Sequence, residues 1–262
     1  IIVVGGGYAG VLAANRLVGR VPSSTEVRLI SPGDAFVNRI RLHETAARGT
    51  DARLPIRSLL HGDVVHDDGK LVSLDAKASS LVVERPGGRE HLGYGQAILA
   101  LGSTPSAAFG RAEHDAVSTH GAAMRFHTRL SALPAGAHVV VIGGGLTAIE
   151  LVTEVAEARP DLRTTLIAYR LLPDADLAAR RSLFESFTAL GVTVIEGQRA
   201  ETLSGGVGLD DGRTLDADLC AVCDGFHSAP IGRELGLPTS RDGRIRVDSA
   251  LRVEGFANLF AV

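Results

Sequence analysis

Two stretches of this chain carry residues whose spacing can do chemistry. Gly5, Gly7 and Gly10 fit the pattern G-x-G-x-x-G, and Gly143, Gly145 and Ala148 repeat it with a permitted alanine in third place. The first glycine of such a turn allows a tight bend, the second lets backbone approach a pyrophosphate, and the third lets helix pack closely on strand. The helix that follows offers N–H groups and the positive end of its dipole to phosphates. The chemistry is that of holding dinucleotides. A chain that holds two of them usually does so to pass a hydride between them.

Three other reactive-looking groups are weaker. His43-Glu44 opens H-E-x-x-H, but position 47 is Ala, so no metal site is expected. Ser103 lacks a G-x-S-x-G setting and a local base, so it is not expected to be a nucleophile. Cys220-Ala221-Val222-Cys223 could be a redox dithiol. Leu219–Cys223 reads, however, as a buried strand. Residues three apart on a strand lie ~10 Å apart, past the ~7 Å Cα limit of a disulfide, so structural cysteines are expected.

The elements that must position these groups can be read in outline. Ile1–Val4 and His138–Ile142 are continuous apolar runs, as buried parallel strands are, and each leads through its glycines into an Ala/Leu-rich helical pattern. Glu26–Ile30 reads as a second strand, Gln96–Leu101 as an apolar strand and Phe36–Glu44 as helical in character. Asp63–His66, Leu71–Leu74 and Leu81–Glu84 suggest an antiparallel meander, with turns at Asp67-Asp68-Gly69 and Pro86-Gly87-Gly88. A helix is expected over Gly121–Leu133, a strand over Thr164–Ala168, a helix over Ala175–Leu190 and a strand over Val192–Glu196.

Composition narrows the class. The chain has 262 residues, 45% hydrophobic and 22% charged, an ordinary soluble α/β composition. A formal charge of −3 argues against nucleic acid as a partner. No apolar run approaches the ~20 residues of a membrane span. With only 2 Cys, a reducing cytoplasm fits better than secretion. The chain opens inside a strand, without Met, and closes on Leu259-Phe260-Ala261-Val262, the start of another; a fragment of a longer protein is expected.

Positions near the strand ends bear on the nucleotides. Where a dinucleotide fold wants an acidic residue for a ribose, the second strand has Ser31, a neutral and weaker partner. Asn38 and Arg39 follow, either on a solvated face or lining a flavin. Thr164–Ala168 ends in Tyr169-Arg170, with no carboxylate. Arg attracts a 2′-phosphate, so the strand end leans to NADPH, with Asp174 and Asp176 near enough to undercut it.

Gly5–Gly10, Ala100-Leu101-Gly102, Gly143–Glu150 and the closing Leu259–Val262 together resemble the two-dinucleotide-domain flavoproteins, the FAD/NAD(P)-dependent pyridine nucleotide-disulfide oxidoreductase superfamily. Phe36–His43 is most similar to the branch of type II NADH dehydrogenases and apoptosis-inducing-factor-like reductases. The resemblance implies an α/β fold of two Rossmann-like domains, with the NAD(P)H domain inserted in the FAD domain and the C-terminal part cut off. Residues 1–112 and 227–262 would form the FAD domain, and residues 113–226 the NAD(P)H domain. FAD would rest on Gly5, Gly6, Gly7, Tyr8, Ala9, Gly10, Ser31, Asn38, Arg39, Val65, Ala100, Leu101 and Gly102. NADPH or NADH would rest on Gly143, Gly144, Gly145, Leu146, Thr147, Ala148, Glu150, Tyr169, Arg170, Asp224 and Gly225. The resemblance sets Glu150 beside the nicotinamide; its other role is to complement the helix dipole.

The implied enzyme is an FAD-dependent NAD(P)H dehydrogenase or reductase, taking a hydride from NAD(P)H and passing electrons to a quinone, another small acceptor or a small redox protein. The alternatives are a dithiol reductase using Cys220 and Cys223, and a nucleotide-bound sensor without turnover. The implied location is the cytoplasm, with peripheral contact at the inner face of the membrane through the absent C-terminal region; the resemblance also admits a homodimer. Three departures stand out: Ser31 for the family's acidic residue, Ala100-Leu101-Gly102 for Ala-Thr-Gly, and a chain end before the Gly-Asp that holds the flavin ribityl chain.

Overall fold

The computed structural model describes residues 1–105, 117–223 and 225–262. The chain opens with β1 (Ile2–Val4), α1 (Tyr8–Leu17), β2 (Val27–Ser31) and β3 (Ala35–Val37), then a 3-10 turn at Arg39–Arg41 and α2 (Leu42–Arg48). β4 (Arg53–Pro55), β5 (Val64–Asp68), β6 (Lys70–Asp75), β7 (Ser80–Arg85), β8 (Gly88–Gly93), β9 (Ala97–Leu99) and β10 (Ser103–Pro105) follow. Next come α3 (His120–Ser131), β11 (His138–Ile142), α4 (Leu146–Ala158), β12 (Arg163–Ala168), α5 (Leu177–Ala189) and β13 (Val192–Glu196). β14 (Ala200–Leu203), β15 (Gly206–Leu209), β16 (Thr214–Asp216), β17 (Leu219–Val222), β18 (Phe226–Ser228), α6 (Ile231–Glu234) and β19 (Leu259–Ala261) complete the chain.

The chain divides into two compact units. One holds Ile1–Val37, Arg53–Thr104 and His227–Val262; the other holds Asn38–Ala52 and Pro105–Phe226. The expected boundary at 112/113 lies outside the described residues.

In the first unit a sheet of order β19-β9-β1-β2-β5 is parallel throughout. The apolar run of β1 is buried on both faces because both faces are covered. Val3 and Leu29 pack with Val11 and Ala14 of α1 and with Phe36 and Ile56, while Ile2, Val4 and Ile30 pack with Leu71, Leu81 and Val83. Those last residues come from the antiparallel sheet β6-β7-β8, which covers the second face. Leu29 is fully buried, and truncating such a residue to Ala typically costs about 2–5 kcal/mol.

Two expectations need correction here. Asp63–His66 is not part of the meander: β5 joins the parallel sheet at its edge, beside β2, and Asp67-Asp68-Gly69 is no hairpin turn. Its polar residues read as hairpin because an edge strand has one solvated side. Phe36 and Val37 are not helical either. They pair antiparallel with β4, and only the residues after Asn38 coil.

The second unit repeats the plan. Its sheet, order β13-β12-β11-β17, is parallel. β11 is buried along its whole length, with α4 against it and β12. Val140, Ile142 and Ile167 pack with Cys220 of β17 and with Val207 and Leu209 of the sheet β14-β15-β16. α2, from the short segment 38–52, packs on α3 and α4. Thr119 caps α3, its Oγ1 accepting from the Ala122 N–H at 3.1 Å, and Asp176 caps α5 from its Oδ1 at 2.7 Å.

Candidate functional site

The first glycine turn joins β1 to α1. Gly5 has φ +116°, a region L side chains rarely adopt, and a Cβ there would lie 2.0 Å from the Ala100 carbonyl oxygen. Its N–H donates to the Ile30 carbonyl at 2.8 Å, and Ala100 N–H donates to Val4. The turn is thus pinned between β2 and the end of β9. A Cβ on Gly10 would meet the Gly5 carbonyl oxygen at 1.8 Å, so helix and turn touch backbone to backbone. Gly7 is different: a Cβ there has nothing within 4 Å. Protein packing leaves this middle position open, on the side where the first helix begins.

The second turn, between β11 and α4, has the same build. Gly143 has φ +145°, and a Cβ on it would lie 2.5 Å from the Cys223 carbonyl oxygen. A Cβ on Gly144 would meet the Arg170 carbonyl oxygen at 2.0 Å, while one on Gly145 meets nothing within 4 Å. Ala148, in the third place, is fully buried. The packing therefore requires small residues at the bend and leaves the middle position open in both turns.

The helix starts carry the same contrast. Of the four described helices of ten residues or more, α3 and α5 have side-chain caps. α1 and α4, which follow the two glycine turns, start on Gly7 and Gly145 with no side-chain cap and no acidic residue in the first turn. Neither helix start thus carries a carboxylate of its own to balance the positive dipole end, and a bound anion would do so. The residues fit the pyrophosphate of a dinucleotide at both.

Around the first turn, Ser31 ends β2 and is buried. Its hydroxyl lies 3.1 Å from His66 Nε2 and crowds the space over Gly6, where a Cβ would come within 2.6 Å of it. Ser31 is therefore tied to His66, a residue that the sequence did not single out. Burial, with Arg57 nearby, holds the His66 imidazole below its ordinary range, favouring its neutral form. Val65 sits beside it in β5, partly buried. Asp67 bonds Arg28 at 2.5 Å and Arg85 at 3.0 Å. Burial alone would raise its carboxyl, but the Arg85 and Arg28 hydrogen bonds outweigh it and hold the group below the usual carboxylate range. Tyr8 is exposed at the start of α1, edge-on to Phe36 at 5.0 Å, with Ala9 next in the helix. Ala100 is buried, Leu101 half-buried, and Gly102 turns with φ +69°.

Asn38 and Arg39 belong to the segment that packs in the second unit. Asn38 N–H donates to Ala52, and the Arg39 guanidinium lies over the Phe226 ring at 4.6 Å.

In the second unit Leu146 is exposed at the first position of α4, with Thr147 behind it. Glu150 stands in the second turn of α4, half exposed, its Oε2 3.5 Å from His43 Nδ1 of α2. The same α2 side chain lies 3.8 Å from Glu44. His43, Glu44 and Glu154 each bring one potential ligand atom within 4.8 Å of the others. Arg41 bonds Glu44 at 2.8 Å and Arg48 bonds Glu154 at 2.5 Å, so both carboxylates already have cations.

At the end of β12, Tyr169 and Arg170 are exposed. Asp174 and Asp176 do not fold back: Asp176 caps α5, and among the described residues Arg170 forms no ion pair. Glu196, at the end of β13, is bonded by Arg180 at 2.8 Å and by the Leu171 N–H at 2.9 Å. Gly225 has φ +92°, and Asp224 lies outside the described residues.

Cys220 and Cys223 are not joined in a disulfide. Cys220 is buried in β17, and burial pushes its pKa up to about 11. Cys223 follows the strand and is only partly buried. Among the described residues no helix is long and apolar enough to cross a membrane.

Comparison with known proteins agrees with this architecture. The chain matches the pyridine nucleotide-disulphide oxidoreductase family over residues 1–262. It is 27% identical over 281 residues to ferroptosis suppressor protein 1 of Xenopus laevis, all of this chain aligning with 72% of that protein. An NADH dehydrogenase-like protein of Mycobacterium tuberculosis is 29% identical over 288 residues, with all of this chain and 71% of that protein aligned. Among solved structures, NDH2 from Plasmodium falciparum in complex with NADH superimposes with a TM-score of 0.83 at 18% identity. That match covers 100% of this chain and 63% of the longer one, less than two thirds of its length.

Proposed function

This chain belongs to the pyridine nucleotide-disulphide oxidoreductase family, and we propose that it holds FAD on the Gly5–Gly10 turn and NAD(P)H on the Gly143–Ala148 turn. The observation that carries this reading is the pair of uncapped helices, α1 and α4, each starting on a glycine with open space above it. When bound, the flavin supplies two-electron acceptance from NAD(P)H and delivery to a quinone or a small redox protein.

The chain's own residues bind and orient. Gly5 and Gly10 hold the first turn flush against Ala100, and Gly7 leaves the backbone approachable. Ser31, fixed by His66, closes the floor under Gly6. Gly143 and Gly144 set the second turn against Cys223 and Arg170, and Gly145 leaves it open. Glu150 is the residue we assign beside the nicotinamide, held from behind by His43. Nothing in this assignment requires a proton to move.

Oxidation of a nicotinamide nucleotide is supported by the chain's likeness to NADH dehydrogenase-like proteins, and a quinone is the acceptor we propose. Oxidation of NAD(P)H by the FAD-loaded, full-length protein with a water-soluble quinone tests it. Quinone-dependent turnover is expected. FAD-loaded protein that oxidised neither NADH nor NADPH with any acceptor would contradict the reading.

A further inference from the structure

We propose that Arg199, together with Arg170, receives the 2′-phosphate of NADPH at the second turn, so that this chain selects NADPH over NADH. The inference rests on the reading of Gly143–Ala148 as the NAD(P)H site and names the nucleotide it takes.

The placement comes from backbone contacts. The Arg170 carbonyl sits where a Cβ on Gly144 would be, and Leu172 N–H donates to the Gly144 carbonyl at 2.9 Å. The end of β12 therefore touches the glycine turn itself. The Gly197 N–H donates to the Ala168 carbonyl at 3.0 Å, which brings the residues after β13 alongside that same strand end. Two residues on, the Arg199 guanidinium lies over the exposed Tyr169 ring, 4.4 Å from its centroid. In a dinucleotide fold, this strand end is where the adenosine ribose is recognised.

Carboxylates stand near this strand end as well: the Asp210 N–H donates to the Arg199 carbonyl at 3.1 Å, and Asp211 next to it is bonded by Arg213 at 2.8 Å. A ribose 2′-hydroxyl is normally gripped by a carboxylate. Here Glu196 is occupied by Arg180 and the Leu171 N–H, and Asp176 by the start of α5. Arg170 and Arg199 are both exposed, and among the described residues neither guanidinium has an ion pair. Stacking on an aromatic face fixes a guanidinium's plane and leaves its in-plane N–H donors open, the geometry that pairs a phosphate bidentately. Tyr169 thus pre-positions Arg199, while Glu196, Asp176 and Asp211 are bonded to other groups.

The test is the rate of bound-flavin reduction by NADPH and by NADH, as kcat/KM, in the FAD-loaded full-length protein and its Arg199→Ala, Arg199→Lys and Arg170→Ala variants. Titration with 2′,5′-ADP and 5′-ADP provides a readout independent of the flavin. Wild type should prefer NADPH. Arg199→Ala should lower kcat/KM for NADPH by roughly ten- to a hundredfold, mostly through KM, with the NADH value nearly unchanged, and should weaken 2′,5′-ADP selectively. Arg199→Lys should recover only part of the loss. A wild type that prefers NADH, or an Arg199→Ala protein whose NADPH and NADH values fall together, overturns the proposal while leaving the NAD(P)H site standing. Failure of both nucleotides to reduce the flavin overturns the site reading, and the proposal with it.

Discussion

His43 Nδ1 lies 3.5 Å from Glu150 Oε2, joining side chains of α2 and α4 that are distant in sequence. A partly exposed pair of this kind contributes only about 0–1 kcal/mol to stability. Glu150→Gln should therefore leave the denaturation midpoint nearly unchanged. If the carboxylate stands at the nicotinamide, the same substitution should slow flavin reduction about tenfold or more, and stopped-flow traces would show it. Unchanged reduction would return Glu150 to a surface role.

The glycines should separate folding from binding. Gly10→Ala places a Cβ against the Gly5 carbonyl oxygen, 1.8 Å away, and should cost at least the upper end of the about 1–3 kcal/mol typical of overpacking. Gly7→Ala enters open space at an ordinary backbone conformation. Urea midpoints should fall sharply for the first and barely move for the second.

Asp67→Asn should destabilise the first unit by about 1.5–3 kcal/mol at neutral pH, the range for hydrogen bonds to charged groups. The folded-state pKa of Asp67 is depressed, so its contribution is present above the unfolded value of about 3.9 and is lost as pH falls through the folded value. Stability curves of wild type and variant should converge in strong acid. A gap that stayed constant with pH would sever the link to ionisation.

The cysteines should behave differently from each other. With its pKa near 11, Cys220 carries almost no thiolate at neutral pH and should resist alkylation, whereas the partly exposed Cys223 should react. Mass mapping after brief iodoacetamide treatment checks this. We expect Cys220→Ser/Cys223→Ser protein to reduce a quinone near the wild-type rate; a loss beyond about a hundredfold with the fold intact would revive the dithiol mechanism.

What the sequence disclosed follows from locality. β1 and β11 are apolar runs with their glycines in register, so both turns and both helices can be read within about fifteen residues. The edge strand β5 could not, because its neighbour β2 is distant in sequence and its exposed side mimics a hairpin. α2 carries no mark of its destination, since its partners α3 and α4 lie far along the chain. Ser31 was legible as the residue at the strand end, but its bond to His66 depends on the pairing of β2 with β5. Arg199 was unreadable for a similar reason: only the register of β13 on β12 brings it to Tyr169.

The central claim is that one chain holds two nucleotides, one at each glycine turn. The most direct measurement is the flavin absorbance of the purified full-length protein, recorded anaerobically before and during titration with NADPH. Wild type should show the flavin band and lose it on titration. Gly7→Val should fold without the band, and Gly145→Val should keep the band but resist bleaching. A Gly7→Val protein with its full flavin band, or a Gly145→Val protein bleached at the wild-type concentration of NADPH, would contradict the account.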